Sequence, residues 1–178
     1  MLIEEIGTLD AVLEAHSAEL GDDFAAYRNH AYRVANLCVA LNGGGTEHLQ
    51  KIAVAAAFHD LGIWSEETFD YLGPSVALAR AHVDRSGKGE WSDEIAAMIQ
   101  EHHKLSRYRD RPLWLVEKFR RADWVDISRG VLRVGLPRKL LSEIFATWPD
   151  AGFHARLAQL SFKRLCTHPW SPLPMLRL

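Results

Sequence analysis

The chain has 178 residues, 48% of them apolar and 25% charged, with a formal net charge of −2. That is enough for one buried core and is an ordinary soluble composition. The charge excludes the broad basic face that nucleic-acid binding needs. The longest apolar run, Ile52 to Phe58, is far too short to span a membrane.

The first helical pattern runs from Leu9 to Leu20, with Leu9, Val12, Leu13 and His16 at helical spacing. The opening MLIEEIGTLDAVLEAH has no basic stretch leading into a long apolar one, so it does not read as a signal peptide, and a cytoplasmic protein is expected. Gly21-Asp22-Asp23 breaks the pattern. A second helix, Phe24 to Leu41, puts Tyr27, Ala31, Val34, Leu37-Cys38 and Leu41 on one broad face with His30 at its border. Asn42-Gly43-Gly44-Gly45 stops it, and Thr46 with Glu47 starts a helix from Glu47 to His59. The end of that helix, AVAAAFHDLGI, is apolar apart from His59, Asp60 and Gly62, and Gly62 reads as its stop. A carboxylate at a helix C-terminus opposes the dipole, which favours a ligand role for Asp60 over a solvated one.

Residues 64–72 read as a loop. Pro74 opens a helix to about Arg85 that carries His82 near its end. Ser92 caps a helix from Asp93 to His103, with Ile95, Met98-Ile99 and His102 inward. Pro112 opens another, reaching Ile127 and carrying Asp123. Pro137 opens a shorter one ending before Pro149, and Phe153 to Thr167 is the last. No stretch sustains period-two alternation, so the expectation is an all-α single domain over 1–178, a bundle of seven to nine helices. Cys38 and Cys166 lie in helical patterns without ligand spacing and read as buried thiols in a reducing compartment. The tail HPWSPLPMLRL is not helical throughout. Its Trp170, Leu173, Met175 and Leu176 are expected to pack on the body or a partner, and with six tryptophans they point to a homodimer.

A histidine and a carboxylate on one terminal turn, joined by imidazoles and another carboxylate from other helices, are the N and O donors of a divalent-metal site. The series His30, His59-Asp60, His82, His102-His103 and Asp123, with the segment AAFHDLG, resembles the HD-domain superfamily, named for its metal-dependent phosphohydrolases. The resemblance covers roughly residues 24–127 and implies an HD-like helical bundle, with 128–178 as a helical extension packed on it. It implies His30, His59, Asp60 and Asp123 as ligands of a minimal mononuclear site. His82 and one of His102 or His103 would serve a second ion, with Asp60 as the bridge. Because neighbours on a helix point about 100° apart, only one histidine of the pair is expected to coordinate. The donor set suits two transition-metal ions, Fe, Mn, Ni or Zn, better than magnesium.

The departures narrow the reading. Gly62, Ile63 and Trp64 stand where several members of the superfamily carry a lysine, and KLSRYRDRP stands where cyclic-dinucleotide members carry a glycine-tyrosine-proline element. Lys104, Arg107, Arg109 and Arg111, with Arg120 or Arg121, offer contacts for an anion. The expected function is hydrolysis of a nucleotide or other small phosphate ester, with Asp60, His103, Lys104 and Arg107 as the catalytic set and the spare imidazole of His102-His103 as the group that protonates the leaving oxygen. Two alternatives stay open: a mixed-valent di-iron oxygenase acting on a small hydroxylated or phosphonate-like substrate, and a metal-stabilised binding domain with little turnover. The same ligands serve all three.

Overall fold

The computed structural model describes residues 2–46 and 48–176. In chain order the α-helical segments are α1 (Gly7–Ala15), α2 (Ser17–Leu20), α3 (Phe24–Leu41), α4 (Leu49–Phe58), α5 (Gly62–Ser65), α6 (Leu72–Arg85), α7 (Ser92–Glu101), α8 (Val116–Ile127), α9 (Arg138–Thr147) and α10 (Phe153–Thr167). Among the described residues α2 and α5 are single turns, which leaves eight longer helices, and no β-strand forms. The fold is the all-α bundle that the periodicities predict, consistent with the HD-like form that the resemblance implies.

α4 organises the core. Every side chain from Ile52 to Phe58 is buried, and a helix apolar on all sides needs neighbours on all sides. These are α1, α3, α6 and α7, and the alanines at 53, 55, 56 and 57 leave room for them to approach closely. α8 packs on α3 and α7, and α9 and α10 pack on α3. α3 is therefore buried over most of its surface, with Arg33 and Asn36 taken inside alongside Tyr27, Tyr32 and Leu37.

Several boundaries move for identifiable reasons. The pattern from Leu9 to Leu20 splits at His16 into α1 and α2. Glu47, expected to open the next helix, lies outside the described residues, and α4 begins at Leu49. Pro112 does not open a helix, because residues 111–115 form turns and α8 starts only at Val116. The buried Glu94 fixes that start: its Oε1 accepts the Leu115 N–H at 2.7 Å while Oε2 pairs with Lys51 Nζ at 2.6 Å. Cys166 is exposed on α10, unlike the buried Cys38. In the tail Met175 is buried, whereas Trp170 is 97% exposed.

Gly62 is not a helix stop. It opens α5, and an added Cβ would lie 2.6 Å from the Tyr71 carbonyl oxygen and 2.9 Å from Ser75 Oγ. Its N–H donates to Ser75 Oγ at 3.0 Å, so α5 meets the start of α6 backbone against backbone. Backbone cannot yield as a flexible side chain does. Gly62→Ala is therefore expected to destabilise the fold by about 1–3 kcal/mol. An unchanged urea midpoint would show that the contact relaxes freely.

Candidate metal centre

The doublet His59-Asp60 sits in the turn between α4 and α5, held by Tyr27 of α3. The Tyr27 hydroxyl donates to the Ala57 carbonyl at 3.0 Å and accepts the Asp60 N–H at 3.2 Å. That grip ends α4 with both doublet side chains inside, His59 fully buried and Asp60 at 2% exposure. His30 arrives from α3, His102 and His103 from the end of α7, and Asp123 from α8.

Two triads result. His30, His59 and Asp60 form one, and Asp60, His102 and His103 the other, with ligand atoms in each within 4.8 Å of one another. Asp60 is common to both. Its Oδ2 lies 3.6 Å from His30 Nε2 and 3.5 Å from His59 Nε2, and its Oδ1 lies 3.2 Å from His102 Nε2. Asp123 repeats the arrangement: Oδ1 is 3.7 Å from His30 Nε2 and 3.8 Å from His59 Nε2, and Oδ2 is 3.4 Å from His103 Nδ1.

The outer nitrogens are tied down. His30 Nδ1 donates to Asp126 Oδ2 at 2.6 Å, His59 Nδ1 to the Ala56 carbonyl at 2.8 Å, and His102 Nδ1 to the Ile99 carbonyl at 2.6 Å. Each bond places a proton on Nδ1 and turns the Nε2 lone pair inward, which is how metal-binding imidazoles are oriented. The inward atoms then lack partners. Asp60 Oδ1, His102 Nε2 and both Asp123 oxygens are buried without a hydrogen bond, and His30 Nε2 faces His59 Nε2 at 2.8 Å. Stranding that many buried acceptors is costly, and divalent cations are the partner the donors fit. His30, His59, Asp60 and Asp123 would hold one ion, and Asp60, His102 and His103 the other.

The charges carry the same strain. Burial pushes Asp123 up to about 7, with Asp60 and Asp126 adding repulsion against the pull of His102 and His30. Burial opposes protonation of His30, yet its hydrogen bond to Asp126 and the nearby Asp60 carboxylate, 3.6 Å away, carry it up to about 9. Burial drives His59 down to about 3, despite the neighbouring Asp60. Without added positive charge the cluster is balanced only by taking up protons.

Sequence reasoning misplaced one histidine and missed three residues. His82 joins neither triad. The ridge Ser75–Ala79–Val83 takes the inward face of α6, and His82, one step from Val83, turns its ring to Phe58 at 5.4 Å. Burial, then Arg85 and Lys88, lower its pKa. In its stead both members of the pair enter: α7 ends at Glu101, His103 falls in the turn beyond, and the two rings lie 3.9 Å apart. The missed residues are Arg33, Asp126 and Tyr71. Arg33 Nε donates to Asp126 Oδ1 at 2.5 Å and Nη2 to Oδ2 at 3.0 Å, wholly inside the protein. Burial works against charge on Asp126, but the bonds from His30 and Arg33 hold it at about 2. The signal was present, since His30 and Arg33 on α3, like Asp123 and Asp126 on α8, stand three residues apart on one helical face. Tyr71, whose hydroxyl meets His103 Nε2 at 2.8 Å, comes from a stretch read as loop and gave no periodic signal.

The basic residues are more dispersed than expected. Lys104 Nζ lies 3.6 Å from Glu101, and Arg107 is exposed on the following loop. Arg120 is engaged by Glu117 at 2.8 and 2.9 Å and by the Lys104 carbonyl at 2.9 Å, and Arg121 donates to the Val134 carbonyl at 2.6 Å.

Compared with known families, residues 27–128 match the HD domain. The match covers more than half of the chain and includes every residue of the two triads, while α9 and α10 lie beyond it. No curated protein matches the chain, and no solved structure does. Family membership and the two His/Asp clusters together support metal-dependent hydrolase activity at a dinuclear divalent centre. The chain belongs to the HD domain family.

Proposed function

We propose that the protein is a phosphohydrolase acting on a nucleotide or another small phosphate ester. The observation that carries this reading is the doubled ligand set joined by one shared carboxylate, Asp60, within an HD domain. When bound, a cation pair supplies Lewis acidity, acidifying a water and offsetting charge on a phosphoryl group.

The chain's own residues supply positioning and protons. Asp60 fixes the spacing of the two halves. His103 is the least buried of the histidines in the triads, and Tyr71 holds its Nε2 at 2.8 Å. With its Nδ1 turned to the second triad and its Nε2 on Tyr71, His103 sets the orientation of the Tyr71 hydroxyl, which is the proposed proton donor to the leaving oxygen in place of His103 itself. Lys104 and Arg107 follow it directly in the chain and are the proposed contacts for non-bridging oxygens, Lys104 exchanging Glu101 for the substrate. A homodimer in a reducing compartment belongs to the same proposal. The exposed Phe162, Leu165 and Trp170 support the dimer. Among the described residues no helix is long and apolar enough to cross a membrane.

The test is phosphate release from a panel of nucleotides and other phosphate esters by protein loaded with Mn, Zn, Fe or Ni. Turnover is expected to stop on chelation, and Tyr71→Phe is expected to lower kcat about tenfold with little change in KM. Iron-loaded protein that releases no phosphate but consumes oxygen with a hydroxylated substrate would replace the proposal with the oxygenase.

A further inference from the structure

A cavity of about 390 Å³ opens between α10 and the stretch from Ile63 to Phe69. Among the described residues, no member of either triad lines it. Its size falls within the range of small-molecule pockets.

The cavity is built in two chemically distinct parts. Ile63, Trp64, Phe69 and Leu160 give it an apolar, largely aromatic floor. The Trp64 ring is held twice: its Nε1 donates to Asp23 Oδ2 at 2.9 Å, and its centroid lies 4.8 Å from that of the Tyr27 ring, tilted by 45°. The wall is one ridge of α10, where Arg156, Leu160, Lys163, Arg164 and Thr167 recur at helical spacing. Arg156 spends its charge on Asp23 at 2.9 Å. Lys163 is exposed and has no ion pair among the described residues, and Arg164 gives one N–H to the Ser171 carbonyl at 3.2 Å and keeps its charge. Glu19 and Glu67 also line the cavity and carry the opposite sign. Glu67 is held at φ 47°, a left-handed conformation unfavourable for a residue with a Cβ, on the loop that closes the cavity.

The two signs of charge select the occupant. A polyanion would meet Glu19 and Glu67, and a cation would meet Lys163 and Arg164. We propose that this cavity binds a small organic anion with a flat apolar body and a single anionic head, the body on Trp64, Phe69 and Leu160 and the head on Lys163 and Arg164. The site is separate from the metal centre, and its occupation requires no turnover.

Calorimetric titration of the 178-residue chain with anilinonaphthalene sulfonate tests this, because that probe has one sulfonate on a flat apolar body. A single saturable site is expected. Lys163→Glu should weaken it about tenfold, whereas Lys163→Arg preserves it and the uncharged phenylnaphthylamine binds at least about tenfold more weakly. Leu160→Asp should abolish binding by putting a carboxylate in the floor. Circular dichroism shows whether each variant is folded, and the exposed Lys163 keeps the test valid should the Leu160 variant fail. Absence of saturable binding up to about 1 mM overturns the proposal. So does equal affinity for the uncharged probe, or loss of binding in Phe162→Ser, on the exposed side of α10, with none in Lys163→Glu.

Discussion

Asp60→Ala is expected to leave the protein without either metal ion and to bring phosphate-ester hydrolysis down by about 10³-fold or more. Asp60 alone belongs to both triads, its two oxygens facing His30 and His59 on one side and His102 on the other. Removing it leaves four imidazoles around Asp123, too little negative charge to hold two adjacent cations. Elemental analysis after gel filtration reads the result directly. His102→Ala should cost one equivalent and His82→Ala none, since the His82 ring is turned to Phe58. Retention of a full equivalent by Asp60→Ala would show that the two halves bind independently, and the shared carboxylate would lose its assigned role.

Arg33→Ala is expected to cost about 3–5 kcal/mol, lowering Tm by roughly 6–20 °C. The guanidinium is wholly buried and makes two bonds to Asp126, so its loss strands a carboxylate that burial already opposes. Two further donors to the Trp148 and Pro149 carbonyls disappear with it. The double variant Arg33→Met, Asp126→Leu separates stability from function. With both charges gone, most of the stability should return. Metal affinity should not, because His30 Nδ1 has lost its acceptor, and a deficit of about 10–100-fold is expected. Full metal affinity in the double variant would mean that Phe153, whose ring stacks on that of His30, is enough to orient it.

What was legible in the sequence was whatever depends on local order. The bounds of α3 and α10 follow from apolar spacing and Gly or Pro punctuation, and the candidate ligands on α3, just past α7 and on α8 follow from their order along the chain. What was not legible depends on how the helices are rotated against one another. The position of His82 in the chain fitted a ligand, yet the roll of α6 gave the inward face to Ser75, Ala79 and Val83. The expectation that only one of His102 and His103 faces the site assumed that the helix continued through both, whereas α7 ends at Glu101 and both rings enter the second triad. Gly62 was misjudged for a related reason: its missing side chain serves a contact with Tyr71, which no local pattern announces.

The segment beyond the HD match has a consequence for where this protein can be cut. Phe153 stacks on the His30 ring with centroids 4.0 Å apart, Asn29 Nδ2 donates to the Pro149 carbonyl at 2.8 Å, and Arg33 reaches Trp148 and Pro149. A chain ended at residue 128, where the family match stops, keeps every residue of the two triads but opens His30 to water on the side that Phe153 covers. Excision at the family boundary would yield a polypeptide with the right residues and a slack first ligand. The smallest autonomous form of this metal centre extends past Phe153 into α10, so domain swaps with other HD proteins should exchange the 148–154 strap together with the bundle.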